Sequence, residues 1–206
     1  MTETWEEAFR EKQMMWGKDP ANSAVFAKAY FLEHGVKDVL VPGMGYGRNA
    51  KAFIDEGMAV TGIEISETAI GLARSELGLD VVIHRGSVTD MPFDDRTYDA
   101  VFCHGLIYLL DAAQRNKMLR DCFNQLRPGG HMIFSVITKE APMYGRGSRL
   151  GDDWYEIMPG IKMYFYDEEA VRREFVAFGL IEIARIDEPA HGGVSLPFKV
   201  AICKKA

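Results

Sequence analysis

The sequence predicts an α/β fold: a doubly wound, mostly parallel sheet of seven strands with an antiparallel last strand. Three observations support this prediction. Short apolar stretches typical of buried strands alternate with amphipathic stretches typical of helices. A glycine-rich turn joins the first predicted strand to the helix after it. Near the end of the chain, two predicted strands follow one another without a helix, so they must pair antiparallel or one must lie at an edge.

Each element has its own local signals. Apolar residues at helical spacing predict helices at 4–16 and 23–34, and the run 17–20, Gly-Lys-Asp-Pro, separates them. Both helices are expected to lie across the carboxyl ends of the strands and close a ligand site. Asp111 is a good N-cap for a later helix. The predicted strands are 38–42, 58–64, 80–84, 98–103, 131–137, 180–187 and 196–204, and the helices among them are 47–56, 67–77, 111–126 and 167–178.

Residues 139–166 show no clear period and are rich in glycine, methionine, tyrosine and charged residues. A long irregular segment inside a compact domain favours a lid or substrate loop. We therefore interpret residues 1–206 as a single domain that has N-terminal cap helices at about 4–34 and a lid or substrate insert at about 139–166.

Composition excludes several classes of protein. The net charge of −6 disfavours a nucleic-acid-binding surface and an anionic membrane as partners. Cys103, Cys122 and Cys203 are odd in number and widely spaced, which fits a reducing compartment and neither a disulfide framework nor a zinc site. The first residues lack a secretory signal, and no apolar run reaches membrane-spanning length. We expect a cytoplasmic monomer or homodimer with a small-molecule partner and no metal.

The glycine-rich turn is the first candidate site. Gly43, Gly45 and Gly47 stand at alternate positions between the strand 38–42 and the helix 47–56. Glycines at such a junction let the backbone come close to a ligand, and the helix start offers unpaired N–H groups and the positive end of a dipole. The arrangement predicts a nucleotide cradle.

Glu64 strengthens this interpretation. It ends the second predicted strand, 17 residues after Gly47, and should lie at the carboxyl end of the neighbouring parallel strand. A carboxylate there can accept hydrogen bonds from both hydroxyls of a ribose. The alternative is that Glu64 only caps the next helix. The loop and the carboxylate together favour a nucleoside site.

Two later loops offer further polar groups. Ser87, after the third predicted strand, can bind the edge of a base, although an ordinary capped turn also explains it. His104 and Tyr108 follow the fourth predicted strand, whose tip should lie beside the first strand, so both should face the reactive end of a ligand. His104 is the first candidate for a general base, since an unperturbed imidazole titrates near neutrality. The sequence is about equally compatible with a structural role and with a functional role for His104.

The motifs from about Asp38 to Val136 resemble the class I S-adenosylmethionine-dependent methyltransferases. Residues 126–130, Leu-Arg-Pro-Gly-Gly, and the Gly-x-x-x-Asp-x-Pro-Phe pattern at 86–93 are similar to that family. The stretch 45–49, Gly-Tyr-Gly-Arg-Asn, resembles the subgroup of tellurite-resistance and thiopurine methyltransferases. In that subgroup a tryptophan-rich N-terminal segment covers the cofactor.

The resemblance implies S-adenosylmethionine as the cofactor and a direct displacement at its methyl group by a small-molecule acceptor. Orientation can contribute about 7–11 kcal/mol to such a step. The implied cofactor-binding residues are Trp16, Gly43, Met44, Gly45, Gly47, Glu64, Ile65, Ser87, Val88 and Cys103. The candidates for shaping the acceptor site are Arg48, Tyr108, Tyr144 and Trp154, and His104 is the candidate catalytic residue.

Two positions depart from the family pattern. Val41 stands where an acidic residue usually helps to hold the cofactor's ammonium group, and Ser87 stands where an aspartate usually binds the adenine amine. These departures leave open a non-catalytic S-adenosylmethionine-binding module or a partner subunit. A nicotinamide-dependent oxidoreductase is less consistent with the sequence, because Gly-x-Gly-x-Gly differs from the dinucleotide fingerprint.

Overall fold

The structure, a computed structural model, describes residues 2–189 and 193–206, so Gly192, between the last two predicted strands, lies outside the described residues. In chain order the helices and strands are α1 (Thr2–Lys12), α2 (Asn22–Glu33), β1 (Asp38–Pro42), α3 (Arg48–Ile54), β2 (Ala59–Glu64), α4 (Glu67–Leu77), β3 (Val82–Arg85), β4 (Tyr98–His104), α5 (Ala112–Asn124), β5 (Leu126–Ile137), β6 (Ser148–Gly151), β7 (Trp154–Met158), β8 (Ile161–Tyr164), α6 (Glu168–Phe175), β9 (Leu180–Pro189) and β10 (Ser195–Lys204). Short 3₁₀ turns lie at Ile107–Leu109 and Val176–Phe178.

The main sheet has seven strands in the order β3-β2-β1-β4-β5-β10-β9. The pairs among β1 to β5 are all parallel, and β10 pairs antiparallel with both β5 and β9. The predicted seven-stranded sheet with an antiparallel last strand is therefore confirmed. The strand order reverses between β1 and β4, and ligands bind at such a reversal in open α/β sheets.

Helices cover both faces of the sheet because the side chains of its central strands alternate between two apolar clusters. In β4, Val101 and Cys103 pack with residues of α5 and α6. Ala100 and Phe102, the intervening side chains, pack with α2 and α3. All four side chains are fully buried, as expected for a sheet with helices on both sides.

The starts of three helices follow the local signals. Asp111 forms a capping box with Gln114 at the start of α5, which confirms this N-cap. The side chains of Ser66 and Asp167 cap α4 and α6 by accepting hydrogen bonds from backbone N–H groups. The first helix is shorter than predicted: it ends at Lys12, and Gln13 adopts a left-handed conformation with φ 52°.

The prediction of an irregular segment at 139–166 is wrong, because β6, β7 and β8 form a three-stranded antiparallel sheet. Asp153 and Gly160 provide left-handed turn residues between the strands. Four of the five residues of β7 are half-buried, so polar and apolar residues do not separate into two faces. The two-residue period that identifies a strand is therefore hidden in the sequence. This small sheet contacts the turn Ile107–Leu109 through β8.

Candidate functional site

The glycine loop lies at the carboxyl end of β1, beside the loop that follows β4. Gly43, Gly45 and Gly47 all have positive φ, at 68°, 58° and 85°. A methyl group added to Gly43 would collide with Leu106 of the neighbouring loop, and one added to Gly47 would collide with Leu79. The three glycines therefore permit both the left-handed backbone and the close approach of neighbouring segments.

The carboxylate of Glu64 lies against this loop. Its Oε2 accepts a hydrogen bond from the N–H of Gly45 at 2.7 Å, and its Oε1 accepts from the N–H groups of Ile65 and Ser66, both at 2.9 Å. Burial raises the pKa of Glu64, while the three N–H donors act in the opposite direction. A carboxylate has about four lone-pair sites, so about one site, on Oε2, is left to accept a hydrogen bond from a ligand.

The loop after β3 meets the same site. The N–H of Gly86 donates to the backbone oxygen of Glu64 at 3.0 Å. Ser87 is half-buried, and its hydroxyl bonds the Thr89 hydroxyl at 2.8 Å and accepts from the Thr89 N–H at 3.2 Å. Ile65, also half-buried, follows Glu64 directly. The structure thus brings together the candidates at 43–47, 64–65 and 87.

Three of the sequence candidates have side chains that point away from this surface. Cys103 is fully buried in the core with α5 and α6, and burial raises the pKa of its thiol. Val88 belongs to the same core cluster. Met44 packs against Gly62, where an added methyl group would lie 2.5 Å from the Met44 sulfur. Each can reach a ligand at the loops only through its backbone.

The N-terminal segment covers the glycine loop. Phe9 of α1 is buried, and its Cζ would lie 3.7 Å from a methyl group placed on Gly45. Trp16 stacks on Tyr46, with ring centroids 6.2 Å apart and an interplanar angle of 17°. Glu6 accepts hydrogen bonds from the hydroxyls of Ser66, at 2.6 Å, and Thr68, which lower its pKa to about 2. Helix α1 is therefore fastened over the loop and the start of α4.

Tyr46, which lies between Gly45 and Gly47, holds the segment that joins α1 to α2, and the two residues after Gly47 do the same. The Tyr46 hydroxyl donates to the backbone oxygen of Gly17 at 2.8 Å and accepts from the N–H of Trp16 at 3.1 Å. Sequence reasoning missed this role of Tyr46. A tyrosine between two glycines was the only local signal, and its partners lie about thirty residues away.

Arg48 and Asn49 also bind the backbone of the segment that joins α1 to α2. Arg48 Nη1 donates to the backbone oxygen of Asp19 at 2.9 Å, and Asn49 Oδ1 accepts from the N–H of Ala21 at 2.9 Å. Burial lowers the pKa of Arg48. Arg48 was assigned to the acceptor site from the sequence, and in the structure its guanidinium binds the backbone of the N-terminal segment.

Replacing Tyr46 with phenylalanine should loosen this connection. The loss of the hydroxyl removes both hydrogen bonds, so we expect a loss of about 1 kcal/mol in the free energy of unfolding. Trypsin should also cleave faster after Lys12 and Lys18. Urea denaturation and limited proteolysis measure the two effects. Tyr30→Phe is the matched control, since the Tyr30 hydroxyl makes no hydrogen bond to a described residue; equal behaviour of the two variants would contradict the assignment.

His104 ends β4 and lies in a polar cluster built from distant parts of the chain. Its Nδ1 lies 2.9 Å from the Ser23 hydroxyl, 2.7 Å from the Ser135 hydroxyl and 3.8 Å from Oε1 of Glu188. The ring stacks on Phe198 with centroids 5.7 Å apart. Burial lowers the pKa of His104, and the charge of Glu188 opposes this shift. The imidazole is therefore neutral at physiological pH.

Tyr108 lies close to His104, as expected from the sequence. Its ring contacts Phe198 edge-on, with centroids 6.0 Å apart, and burial raises its pKa. Sequence reasoning missed Phe198 and Glu188, which come from the last two strands. Neither belongs to a recognisable motif, and only the pairing of β9 with β10 brings them here.

The aromatic residues of the insert lie beside this cluster. Tyr144 donates a hydrogen bond to Asp153 at 2.7 Å and packs edge-on against Tyr155 and Phe165. These rings share an apolar cluster with Tyr108 and Phe198. Trp154 begins β7 and pairs in register with Tyr164 of β8. Tyr144 thus reaches the neighbourhood of Tyr108, whereas Trp154 is not a member of that apolar cluster among the described residues.

Acidification should destabilise the protein before most carboxylates titrate. Burial lowers the pKa of His104, and burial with His34 and Lys204 lowers that of His131 to about 4. Unfolded histidines titrate near about 6.5. Between these values the unfolded chain binds more protons, so the free energy of unfolding falls as the pH falls. Urea denaturation across this range should show a smaller change for His131→Gln than for His34→Gln; equal changes would contradict the assignment.

The described residues contain two kinds of information about metal ions and membranes as partners. In residues 2–189 and 193–206, no group of three or more His, Cys, Asp or Glu side chains could hold a metal ion. Over the same part of the chain, no helix is both long and apolar enough to cross a membrane.

Comparison with known sequences finds a family that matches part of the chain. Residues 39–130 match the model of a family described as a methyltransferase domain. A ubiquinone biosynthesis O-methyltransferase of Coxiella burnetii is 28% identical over 111 residues, which cover 52% of this chain and 47% of that protein. The tRNA N(3)-methylcytidine methyltransferase Mettl2 of Drosophila melanogaster is 27% identical over 177 residues, 79% of this chain and 52% of that protein. The chain spans about half the length of these curated relatives.

Solved structures share the fold. The 1,6-didemethyltoxoflavin-N1-methyltransferase of Burkholderia thailandensis, solved with S-adenosylhomocysteine, superposes with a TM-score of 0.78 at 18% identity, covering 100% of this chain and 87% of that one. TehB of Haemophilus influenzae has a TM-score of 0.68 at 14% identity, covering 98% and 67%. Residues 39–130 thus match a methyltransferase family, and the chain has the fold of the class I S-adenosylmethionine-dependent methyltransferases.

Proposed function

We propose that this protein transfers the methyl group of S-adenosylmethionine to a small-molecule acceptor by direct displacement. The observation that carries the proposal is the buried Glu64 carboxylate, held by three N–H groups beside a left-handed glycine loop. A family match and a shared fold do not by themselves preserve a nucleoside site. A carboxylate with a free lone pair at this position supports a nucleoside site.

The residues around Glu64 fit the cofactor. Glu64 would hold the ribose hydroxyls, the loop 43–47 the methionine part, and the half-buried Ile65 and Ser87 the adenine. When bound, S-adenosylmethionine supplies an electrophilic methyl group. Val41 is buried in the core at 3% exposure, so no carboxylate from that position is available for the ammonium group. We propose that the loop backbone takes a larger part in holding it.

The N-terminal segment would exclude water. Phe9, which lies against Gly45, must shift when a cofactor enters, and the segment can then close over it. Tyr46, Arg48 and Asn49 keep the far end of the segment attached to the loop throughout. Closure of this kind removes water and strengthens the orientation on which a displacement depends.

The surroundings of His104 support an acceptor with an ionisable hydroxyl. A neutral imidazole beside Tyr108 and Phe198 can remove a proton in an apolar site. The Coxiella burnetii relative is by name an O-methyltransferase. We propose a flat, largely apolar acceptor that packs against the aromatic rings near Tyr108. The net charge of −6 disfavours tRNA, the substrate named for the Drosophila relative.

Three buried free thiols, Cys103, Cys122 and Cys203, support a reducing, cytoplasmic location. A monomer or homodimer stays our proposal for the assembly, and residues 1–206 our proposal for the extent of the domain.

Transfer of a labelled methyl group tests the proposal. The protein would be incubated with methyl-labelled S-adenosylmethionine and, in parallel, a catechol, an aromatic amine, an aromatic thiol or bulk tRNA. Glu64→Gln serves as the blank. We expect label in the catechol above the blank. Label in tRNA alone would contradict a small-molecule acceptor.

A further inference from the structure

We infer that Glu188, together with Ser23 and Ser135, is a positioning group that holds His104 as the Nδ1–H tautomer and leaves Nε2 as the proton acceptor. The inference rests on the proposed function, because it explains how His104 is prepared to act as a base. It concerns residues outside every motif that marks the cofactor site.

The contacts of the ring are all on one side. Nδ1 lies within hydrogen-bond distance of the hydroxyls of Ser23 and Ser135, at 2.9 and 2.7 Å. Nε2 makes no hydrogen bond to a described residue. The side chain as a whole keeps 15% exposure. Among the described residues, Nδ1 therefore has two hydrogen-bond partners and Nε2 has none.

The charge of Glu188 selects the tautomer. Its carboxylate is 4% exposed and lies 3.8 Å from Nδ1, so it favours a proton on that nitrogen. A serine hydroxyl can accept the Nδ1–H while its own hydrogen points elsewhere. When a hydroxyl of the acceptor loses its proton, the O–H bond breaks and an Nε2–H bond forms. The same carboxylate then stabilises the imidazolium, which returns its proton to solvent afterwards.

Two charged groups near His104 act on its pKa in opposite directions. Glu188 of β9 is the negative charge that raises its pKa, and Arg48 of α3 is the positive charge that lowers it. The other neighbours, from α2, β5, β10 and the turn at 107–109, are uncharged: Ser23, Ser135, Phe198 and Tyr108. Removing the charge of Glu188 should therefore make His104 harder to protonate.

Glu188 also holds the N-terminus of α2. Its two oxygens accept hydrogen bonds from the N–H groups of Asn22 and Ser23, both at 2.8 Å. Helix α2 therefore begins with the N–H groups of its first two residues bound to the carboxylate that faces His104. The placement of the N-terminal segment and the state of the base depend on one buried side chain.

Nitrogen-15 NMR of histidine-labelled protein tests the inference without any acceptor. His104→Asn identifies the His104 signals among the five histidines. We expect a protonated Nδ1 and an unprotonated Nε2 in the unmodified protein. Glu188→Gln should shift the population towards Nε2–H, and Glu182→Gln, at an exposed position of the same strand, should not. An Nε2–H tautomer in the unmodified protein would overturn the inference, whatever the variants do.

Turnover supplies a second readout. Glu188→Gln should lower kcat at least about tenfold and move the acid limb of the kcat profile to lower pH, while the affinity for S-adenosylmethionine changes little. A structural role alone would leave the acid limb in place, and that result with an unchanged tautomer would overturn the inference. Ser135→Ala, which keeps the α2 contacts, replaces Glu188→Gln where the latter fails to fold. Failure of the proposed function would differ: the tautomer would be as expected, but no methyl transfer would occur.

Discussion

Replacing His104 with asparagine should lower kcat about 10²- to 10⁴-fold, the usual range for loss of a general base, and leave the affinity for S-adenosylmethionine nearly unchanged. The effect on kcat is expected because His104 is a buried, neutral imidazole whose Nδ1 already has two hydroxyl partners, Ser23 and Ser135. The affinity for S-adenosylmethionine should persist because the residues proposed to hold it, Glu64 and the glycine loop, are unchanged in this variant. Asparagine can still bond the hydroxyls of Ser23 and Ser135, so the cluster should survive.

Turnover with a labelled methyl donor and titration calorimetry separate the two effects. His34→Asn is the matched control, since His34 is exposed at the C-cap of α2. The reverse pattern in His104→Asn, a weakened affinity with unchanged kcat, would place His104 in the cofactor site and remove it as the base.

Replacing Glu64 with alanine should weaken the binding of S-adenosylmethionine by at least about tenfold, or about 1.4 kcal/mol. The change removes the acceptor for the ribose hydroxyls. It also leaves the N–H groups of Gly45, Ile65 and Ser66 without their partner, so the loop itself becomes less ordered. Both effects act on the cofactor and neither requires an acceptor.

Calorimetry on the variant measures this effect, with thermal unfolding as a check on folding. Glu67→Ala is a suitable control, because Glu67 lies three positions further on, is exposed, and pairs only with Arg85 among the described residues. An affinity of Glu64→Ala equal to that of the control would contradict the assignment of Glu64 to the ribose.

The nucleoside site was predictable because its signals are local. Glycines that need left-handed backbone, a buried strand and a carboxylate at the end of the next strand all fall between 38 and 64. Parallel neighbours then bring Gly45 and Glu64 together without further information. The N-caps Asp111 and Asp167 were predictable for the same reason, since a cap acts on residues two or three positions away.

The surroundings of His104 were not predictable in this way. Ser23, Ser135, Glu188 and Phe198 are separated by up to 175 residues, the interval from 23 to 198, and they meet only because β10 lies between β5 and β9. Serine and glutamate at such positions look like ordinary polar residues. The small sheet at 148–164 escaped prediction for a different reason, since β6 is exposed throughout, β7 is mostly half-buried, and neither shows a two-residue period.

Titration calorimetry of the purified protein with S-adenosylmethionine, S-adenosylhomocysteine and NAD, in parallel, tests directly whether the site binds this cofactor. We expect micromolar binding of both sulfur nucleosides, about −8 kcal/mol at 1 μM, and no binding of NAD. Binding of NAD alone would contradict this expectation and favour an oxidoreductase. Binding of none of the three would also contradict it, and the apolar Val41 in β1 would then be the first position to examine.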